Sequence, residues 1–430
     1  MKYYSLNDRS QSSDFGEAVI RGLAPDKGLY FPTEIPRLSR DFFESLSGMT
    51  REEVAFEVIK NYIGNEIPVV ELNRVIESTL SFDFPVVSLE KKVDVLELFH
   101  GPTMAFKDVG AKFMAGCLSY FVKERGIGTM TVLVATSGDT GGAVANGFSG
   151  VDGIDVVILY PKGKVSGIQE KQLTTSGENV TALAVNGAFD KCQEMVKTAF
   201  LDNAITSRRK LTSANSINIA RWLPQMFYYF FAWSRVKQKS KDLVFSVPSG
   251  NFGNICAGLL AAEMGLPVQH FLAANNSNDV VTRYLAGGVY RPAPSVETIS
   301  NAMDVGDPSN FIRVLELFKN NDDLDNRLSS CSFNDDQTKE AIGKLYQKTR
   351  YIMDPHGAVG YLGLKKFLGN HPEYHGVFLE TAHPVKFCDT VESLIGAPIE
   401  IPKSIKALHG KESKSIKIND YDDLKEFLMR

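Results

Sequence analysis

One alternation governs this chain from Val93 onward: short apolar runs separated by longer segments with helical spacing. VDVLELF (93–99), TVLVAT (131–136), IDVVILY (154–160) and VTALAV (180–185) form a first series, and LVFSVPS (243–249), VQHFLAA (268–274) and VFLETAH (377–383) a second. Runs of this length that are apolar throughout suit strands covered on both faces, and helices returning between strands cover both faces of a parallel sheet. The pattern predicts an α/β fold with two open parallel-sheet lobes.

The first ninety or so residues have a different texture. A Pro/Gly-punctuated opening, APDKGLYFPTEIP, precedes helical periodicity over Arg51 to Ile63 and Val69 to Leu80. This predicts a mainly helical amino-terminal module over residues 1–92, a first lobe over 93–240, and a second lobe with the carboxy-terminal tail over 241–430. Between the lobes, the aromatic run FYYFFAW is expected to bury a helix face rather than build a binding box. The segment KNNDDLDNRLSSCSFNDDQT is an acidic polar connector.

Charge and cysteine usage exclude several roles. Lys and Arg number 47 against 51 Asp and Glu, a net charge of −4, so no chain-wide basic field exists to attract nucleic acid or an acidic membrane. The five cysteines are scattered, odd in number and without a C-x-x-C, which fits reduced thiols better than a disulfide framework or a zinc site. No apolar stretch reaches 18 residues and no apolar leader opens the chain, so a soluble cytoplasmic protein with no obligate protein partner is expected.

Three strand-to-helix junctions carry the chemistry. In LFHGPTMAFKDVGAKFM (98–114), Lys107 lies just past a strand end and a Gly-Pro turn, near the start of a helix. Ligands gather beyond the carboxyl ends of parallel strands, and there a lysine can act as a Schiff-base amine. The helix dipole and burial both favour its neutral form. Taken alone, a helix-start lysine is usually a solvated lysine. In SVPSGNFGNICAG (246–258), Gly250 and Gly253 let backbone N–H groups approach an anion, with Asn251 and Asn254 as further donors; alone, this is as readily a tight turn. In VATSGDTGGAVANG (134–147), Thr136, Ser137 and Thr140 bring hydroxyls to a second glycine loop. Neither loop has the dinucleotide or P-loop spacing. Two anion cups plus a lysine could hold a cofactor phosphate and a substrate carboxylate together.

HGPTMAFKD, TSGDTGGA, SANSINIARWLPQ, SVPSGNFGNI and ETAHPVKF, in this order, closely resemble the threonine synthase family of fold-type II pyridoxal-phosphate enzymes, and the opening YYSLNDRSQSSDFGEAVIRGLAPDKGLYFP looks like that family's amino-terminal module. The resemblance implies pyridoxal 5′-phosphate on Lys107 as a Schiff base, with Gly250, Asn251, Phe252, Gly253 and Asn254 around its phosphate and Thr381 by its pyridine nitrogen. It implies Ser137 and Thr140 at the substrate carboxylate and Asn215, Ser216 and Arg221 at the substrate phosphate, with Asn218 held more loosely beside them. No metal is implied. The activity implied is conversion of O-phospho-L-homoserine and water to L-threonine and phosphate, by γ-elimination and hydration at Cβ, with Lys107 as both carrier and proton shuttle.

One residue departs from the wider fold, which often has Ser-Gly-Asn in the hydroxyl loop, with the amide donating to the cofactor's ring oxygen. This chain has Asp139, and an ionised carboxylate only accepts. It is protonated, reoriented, or replaced in that role by a backbone amide. The competing activity is a sibling lyase. Arg221 and the intact NSINIAR segment count against a dehydratase, and intact Lys107 counts against a silent relative. His371 and His375 stand at i,i+4 but are interrupted by Pro372 and are expected on the surface, whereas His356 and His383 are expected to be structural.

Overall fold

The computed structural model describes residues 1–239, 242–319 and 324–430, apart from the side chains of Asp325 and His409. Part of the acidic connector thus lies outside the described residues. Two mainly parallel sheets dominate. The larger has six strands in the order Leu328–Ser332, His270–Asn275, Leu243–Pro248, His375–Glu380, Val93–Glu97 and Val86–Glu90; only the last pair is antiparallel. The smaller has five parallel strands in the order Ile416–Ile418, Val180–Val185, Ile154–Pro161, Met130–Ala135 and Lys210–Thr212. Leu243–Pro248, His270–Asn275, His375–Glu380 and Met130–Ala135 are buried at every position, as runs covered on both faces must be.

The expected chain limits do not follow the sheets. Val93–Glu97, expected to open the first lobe, pairs with His375–Glu380 in register Val93↔Gly376, and so belongs to the sheet built from the second series. Ile416–Ile418, expected in the second lobe, closes the edge of the other sheet. Val86–Glu90, placed in the amino-terminal module, is the larger sheet's edge. Periodicity reveals that a segment is a strand; which distant strand it pairs with is set by tertiary packing.

The amino-terminal module is mostly helical and adds a three-stranded antiparallel sheet of Ser12–Ser13, Tyr3–Ser5 and Tyr30–Pro32. Strands of two and three residues are too short to show alternation. Its helix Arg51–Ile63 starts on a capping box, in which the Thr50 hydroxyl takes the Glu53 N–H and the Glu53 carboxylate takes the Thr50 N–H. The aromatic run forms Met226–Val236, buried from Met226 through Ala232. Tyr229 meets Phe245 edge-on at 5.1 Å and Phe271 at 5.7 Å. Among the described residues, no helix is long and apolar enough to cross a membrane.

Candidate active site

Each expected site segment leaves the carboxyl end of a parallel strand, where open α/β sheets place their ligands. Lys107 follows Val93–Glu97, Thr381 follows His375–Glu380, and the Gly250 loop follows Leu243–Pro248. Ser137 and Thr140 follow Met130–Ala135, and Asn215 and Ser216 follow Lys210–Thr212. The connections between them are direct. Phe106 N donates to Thr381 O at 2.9 Å, and Ala105 and Ala382 form an isolated bridge, so Thr381 is fixed beside the lysine.

Lys107 opens the helix Lys107–Glu124 and is partly accessible, with its ammonium 5.7 Å from the Phe106 ring centre. It makes no side-chain hydrogen bond or ion pair among the described residues. Burial of the charge lowers its pKa to about 8; Asp139 opposes that shift, while Lys386 and Arg221 add to it. The start of this helix is pinned on both sides. Asp108 accepts from Thr103 N at 2.9 Å and from its hydroxyl at 2.5 Å, and Tyr228 hydroxyl donates to Phe106 O.

The Gly250 loop presents backbone rather than side-chain donors. The Asn251 amide nitrogen donates to Ser216 Oγ at 2.7 Å and its oxygen accepts from Ser309 N at 2.6 Å. The Asn254 amide donates to Pro248 O at 2.9 Å and accepts from Ile255 N at 2.9 Å. One N–H of each asparagine amide thus helps to shape the loop. By contrast, the N–H groups of residues 250–254 have no protein acceptor among the described residues. Phe252 takes a left-handed φ of 60°, turning the chain into the helix Gly253–Glu263. At Gly250 a Cβ would sit 2.7 Å from Met303 Cα, so only glycine permits this close approach. Free N–H groups at a helix start can hold a tetrahedral anion.

In the hydroxyl loop, Thr136 Oγ1 accepts from Gly138 N at 2.9 Å and Gly141 N at 2.8 Å. The side chains of Ser137 and Thr140, both partly exposed, and the N–H groups of 137, 139 and 140 have no protein partner among the described residues. Asp139 is buried; its Oδ1 lies 2.5 Å from Lys386 Nζ and accepts from Gln169 Nε2 at 2.9 Å. Burial alone would raise its pKa, but the Lys386 and Lys107 charges and the Lys386 and Gln169 hydrogen bonds outweigh that and hold the carboxyl well below its usual range. The protonated alternative for Asp139 is therefore set aside.

Ser216 stands against the Gly250 loop, its hydroxyl accepting from the Asn251 and Asn310 amides at 2.7 and 3.1 Å. Asn215 carries no side-chain bond among the described residues and is partly exposed. Arg221 is buried beside the lysine helix, where a Cβ on Gly110 would lie 3.1 Å from its Nε. It donates from Nη1 to Ala214 O, while its Nε has no partner among the described residues. Burial lowers its pKa to about 10. A guanidinium at this position is suited to an anionic ligand. Asn218 points away, capping Ile219–Trp222 and donating to Val19 O at 2.9 Å and Ser213 O at 3.3 Å.

His356 holds scaffold: its Nδ1 lies 2.5 Å from Asp354 Oδ1 and its Nε2 accepts from Ala302 N at 3.1 Å, behind the Gly250 loop. His383 caps the turn Pro384–Phe387 by accepting from Val385 N, and burial lowers its pKa to about 4. His375 corrects the surface expectation, for it is buried in its strand and paired with Asp94 at 2.8 Å; His371 remains half exposed. Lys386, Tyr229 and Arg313 are the residues that sequence reasoning missed. Tyr229 hydroxyl donates to Asn254 O at 2.8 Å. Arg313, fully buried against Trp222, donates to Tyr30 O, Ser216 O, Ile217 O and Asn310 Oδ1, joining the amino-terminal module to the loop that carries Ser216. Lys386 lay within the quoted ETAHPVKF motif, but nothing local revealed its distant partner.

Residues 90–379 match the family Pyridoxal-phosphate dependent enzyme. A threonine synthase of Buchnera aphidicola subsp. Baizongia pistaciae is 44% identical over 432 residues, covering 100% of both chains. The chain belongs to the threonine synthase family. Residues 2–80 match the family's amino-terminal model and residues 357–428 its carboxy-terminal one. The threonine synthase structure from Escherichia coli superposes with a TM-score of 0.93 at 41% identity, covering 100% of this chain and 99% of that one. The pyridoxal-phosphate-bound threonine synthase from Brucella melitensis gives 0.92 at 34%, with the same coverage. Membership of this family makes the chain a pyridoxal-phosphate enzyme of fold type II. The residues present fit that cofactor, since an unpaired lysine and five free loop N–H groups match an aldehyde and a phosphate.

Proposed function

We propose that this chain converts O-phospho-L-homoserine and water to L-threonine and phosphate, with Lys107 carrying the cofactor. The observation that supports this most is the partly accessible Lys107 without an ion pair among the described residues, set among two cups of free N–H groups and beside the buried Arg221 guanidinium. Bound pyridoxal phosphate supplies an electron sink for the pair left behind when a proton departs from carbon. The N–H groups of Gly250–Asn254 hold its phosphate, and Thr381 offers a hydroxyl to its ring nitrogen.

Ser137, Thr140 and the neighbouring N–H groups orient the substrate carboxylate. Arg221 and Asn215 hold the substrate phosphate at the γ end until it leaves, and Ser216 holds the Asn251 amide that shapes the cofactor loop. A lysine that titrates near pH 8 can take the Cα proton and later return one, because both of its protonation states are accessible near neutrality. Loss of a Cβ proton lets the phosphate leave from Cγ; a proton is then returned at Cγ, water adds at Cβ, and a proton is returned at Cα. Five cysteines without disulfides suit a reducing cytoplasm, where we place the protein.

The test is a visible spectrum of the purified protein together with a threonine and phosphate assay on O-phospho-L-homoserine, for wild type and Lys107→Ala. A borohydride-sensitive band with threonine release in wild type, both lost in the variant, is the expected result. A band without threonine moves the function to a sibling lyase, and the absence of a band refutes Lys107 as carrier.

A further inference from the structure

We propose that Lys386 is a positioning residue that engages the carboxylate of Asp139 and so keeps it from pairing with Lys107. The proposal rests on the reading of Lys107 as the cofactor lysine. Asp139 and Lys386 are both buried, and they come from different sheets: Asp139 opens the helix after Met130–Ala135, while Lys386 lies in the turn after His375–Glu380. Lys386 Nζ sits 2.5 Å from Asp139 Oδ1 and donates to Thr103 O at 3.0 Å. Thr103 is itself held by Asp108.

Gln169 completes the clamp. Its side chain is locked by the capping box of its own helix, where Oε1 accepts from Ser166 N at 3.1 Å, and it donates to the same Asp139 oxygen. Opposite that amide, Gly138 takes a φ of 137°, and a Cβ there would lie 2.5 Å from the Gln169 side chain. Asp139 is thus gripped from two directions through one oxygen.

A buried carboxylate between two lysines pairs with one of them. If it paired with Lys107, the lysine would be held as an ammonium, unable to attack an aldehyde or accept a proton. The charged and titratable groups facing Lys107 are Asp139 from its helix, Lys386 from its turn, Arg221 from Ile219–Trp222 and the Tyr228 hydroxyl from the aromatic helix, with Asp108 next to it in the chain. Asp139 is the carboxylate that could compete for the lysine, because both oxygens of Asp108 are turned toward Thr103, accepting from its N–H and its hydroxyl.

The experiment strips the full-length chain of cofactor and follows the visible absorbance that grows when pyridoxal phosphate is added across a pH series. The neutral amine nitrogen attacks the aldehyde carbon, a C=N bond forms, and the aldehyde oxygen leaves as water with the amine's two protons. The midpoint of the rate profile therefore reports the proton affinity of Lys107. Lys386→Met is expected to raise the midpoint by about one to three units, the effect of freeing an opposite charge that already acts on Lys107. Lys386→Met combined with Asp139→Asn returns it close to wild type. Asp139→Asn alone lowers it, which keeps the test decisive even if the methionine variant fails to fold. A purely structural Lys386 would leave the midpoint unmoved in the folded variant, and that result, or a double variant that stays high, or an Asp139→Asn midpoint that does not fall, overturns the proposal. A wild-type chain that develops no absorbance, or a Lys107→Ala chain that does, overturns the reading of Lys107 instead.

Discussion

Alanine at Gly250 and alanine at Gly253 differ in outcome although the two positions share one loop. At Gly250 the added Cβ would lie 2.7 Å from Met303 Cα and 3.0 Å from Ala302 O. Both are backbone atoms in a pinned stretch: Ala302 N donates to His356 Nε2 at 3.1 Å, Met303 N to Ser300 O at 2.9 Å, and His356 is braced by Asp354. Neither side can retreat cheaply, and overpacking of this kind costs about 1–3 kcal/mol, which at tenfold per about 1.4 kcal/mol is about 5- to 150-fold. At Gly253 the nearest atoms are Asn310 Nδ2 at 3.3 Å and Ser216 Cβ at 3.5 Å, both on side chains, and the position opens a helix where alanine is the better residue. Its cost should stay below about 1 kcal/mol. The strain in Gly250→Ala must appear either as a lower melting temperature of the cofactor-free chain or as weaker binding once the loop moves aside. Thermal unfolding and an absorbance titration with pyridoxal phosphate measure the two parts, and their sum is the quantity to compare. Wild-type behaviour of Gly250→Ala in both assays, or equal damage at Gly253, would refute the reasoning.

Arg221→Met should raise the KM for O-phospho-L-homoserine by about 10- to 150-fold, since a hydrogen bond to a charged group contributes about 1.5–3 kcal/mol, while the unliganded chain melts somewhat lower because the bond to Ala214 O is lost. An unchanged KM would remove Arg221 from the substrate site. Asp94 accepts from Lys239 at 2.6 Å and His375 at 2.8 Å; burial would raise its pKa, but these bonds prevail and bring it to about 2. A folded pKa below the unfolded one stabilises the fold at pH values above about 4, and that stability is lost as pH falls toward about 2. Asp94→Asn should therefore destabilise by about 1–2 kcal/mol at pH 7 and converge on wild type near pH 2–3 in urea unfolding, and a gap independent of pH would count against this account. Arg313→Lys cannot reproduce the planar fork that reaches Tyr30 O, Ser216 O, Ile217 O and Asn310 Oδ1, so a loss of about 3 kcal/mol or more is expected by calorimetry, and a change under 1 kcal/mol would contradict it.

The site segments were legible because each is local. An apolar run, a turn rich in glycine or hydroxyls and a helical pattern are contiguous in sequence, and together they place Lys107, the Ser137 loop and the Gly250 loop at strand ends without any knowledge of pairing. The chemistry of isolated residues was less secure: Asn251 and Asn254 looked like anion donors, yet their amides also bond within the protein to shape the loop, and backbone N–H groups, which every residue carries, stand free beside them. What tertiary structure alone decided joins residues far apart in the chain. Val93–Glu97 crosses to the sheet of the second series, Ser216 locks onto Asn251, Arg313 reaches back to Tyr30, and Lys386 meets Asp139. A side chain's type limits what it can bond, but a buried charge keeps its ionised form only when a partner is brought to it, and the packing of one sheet against the other brings that partner.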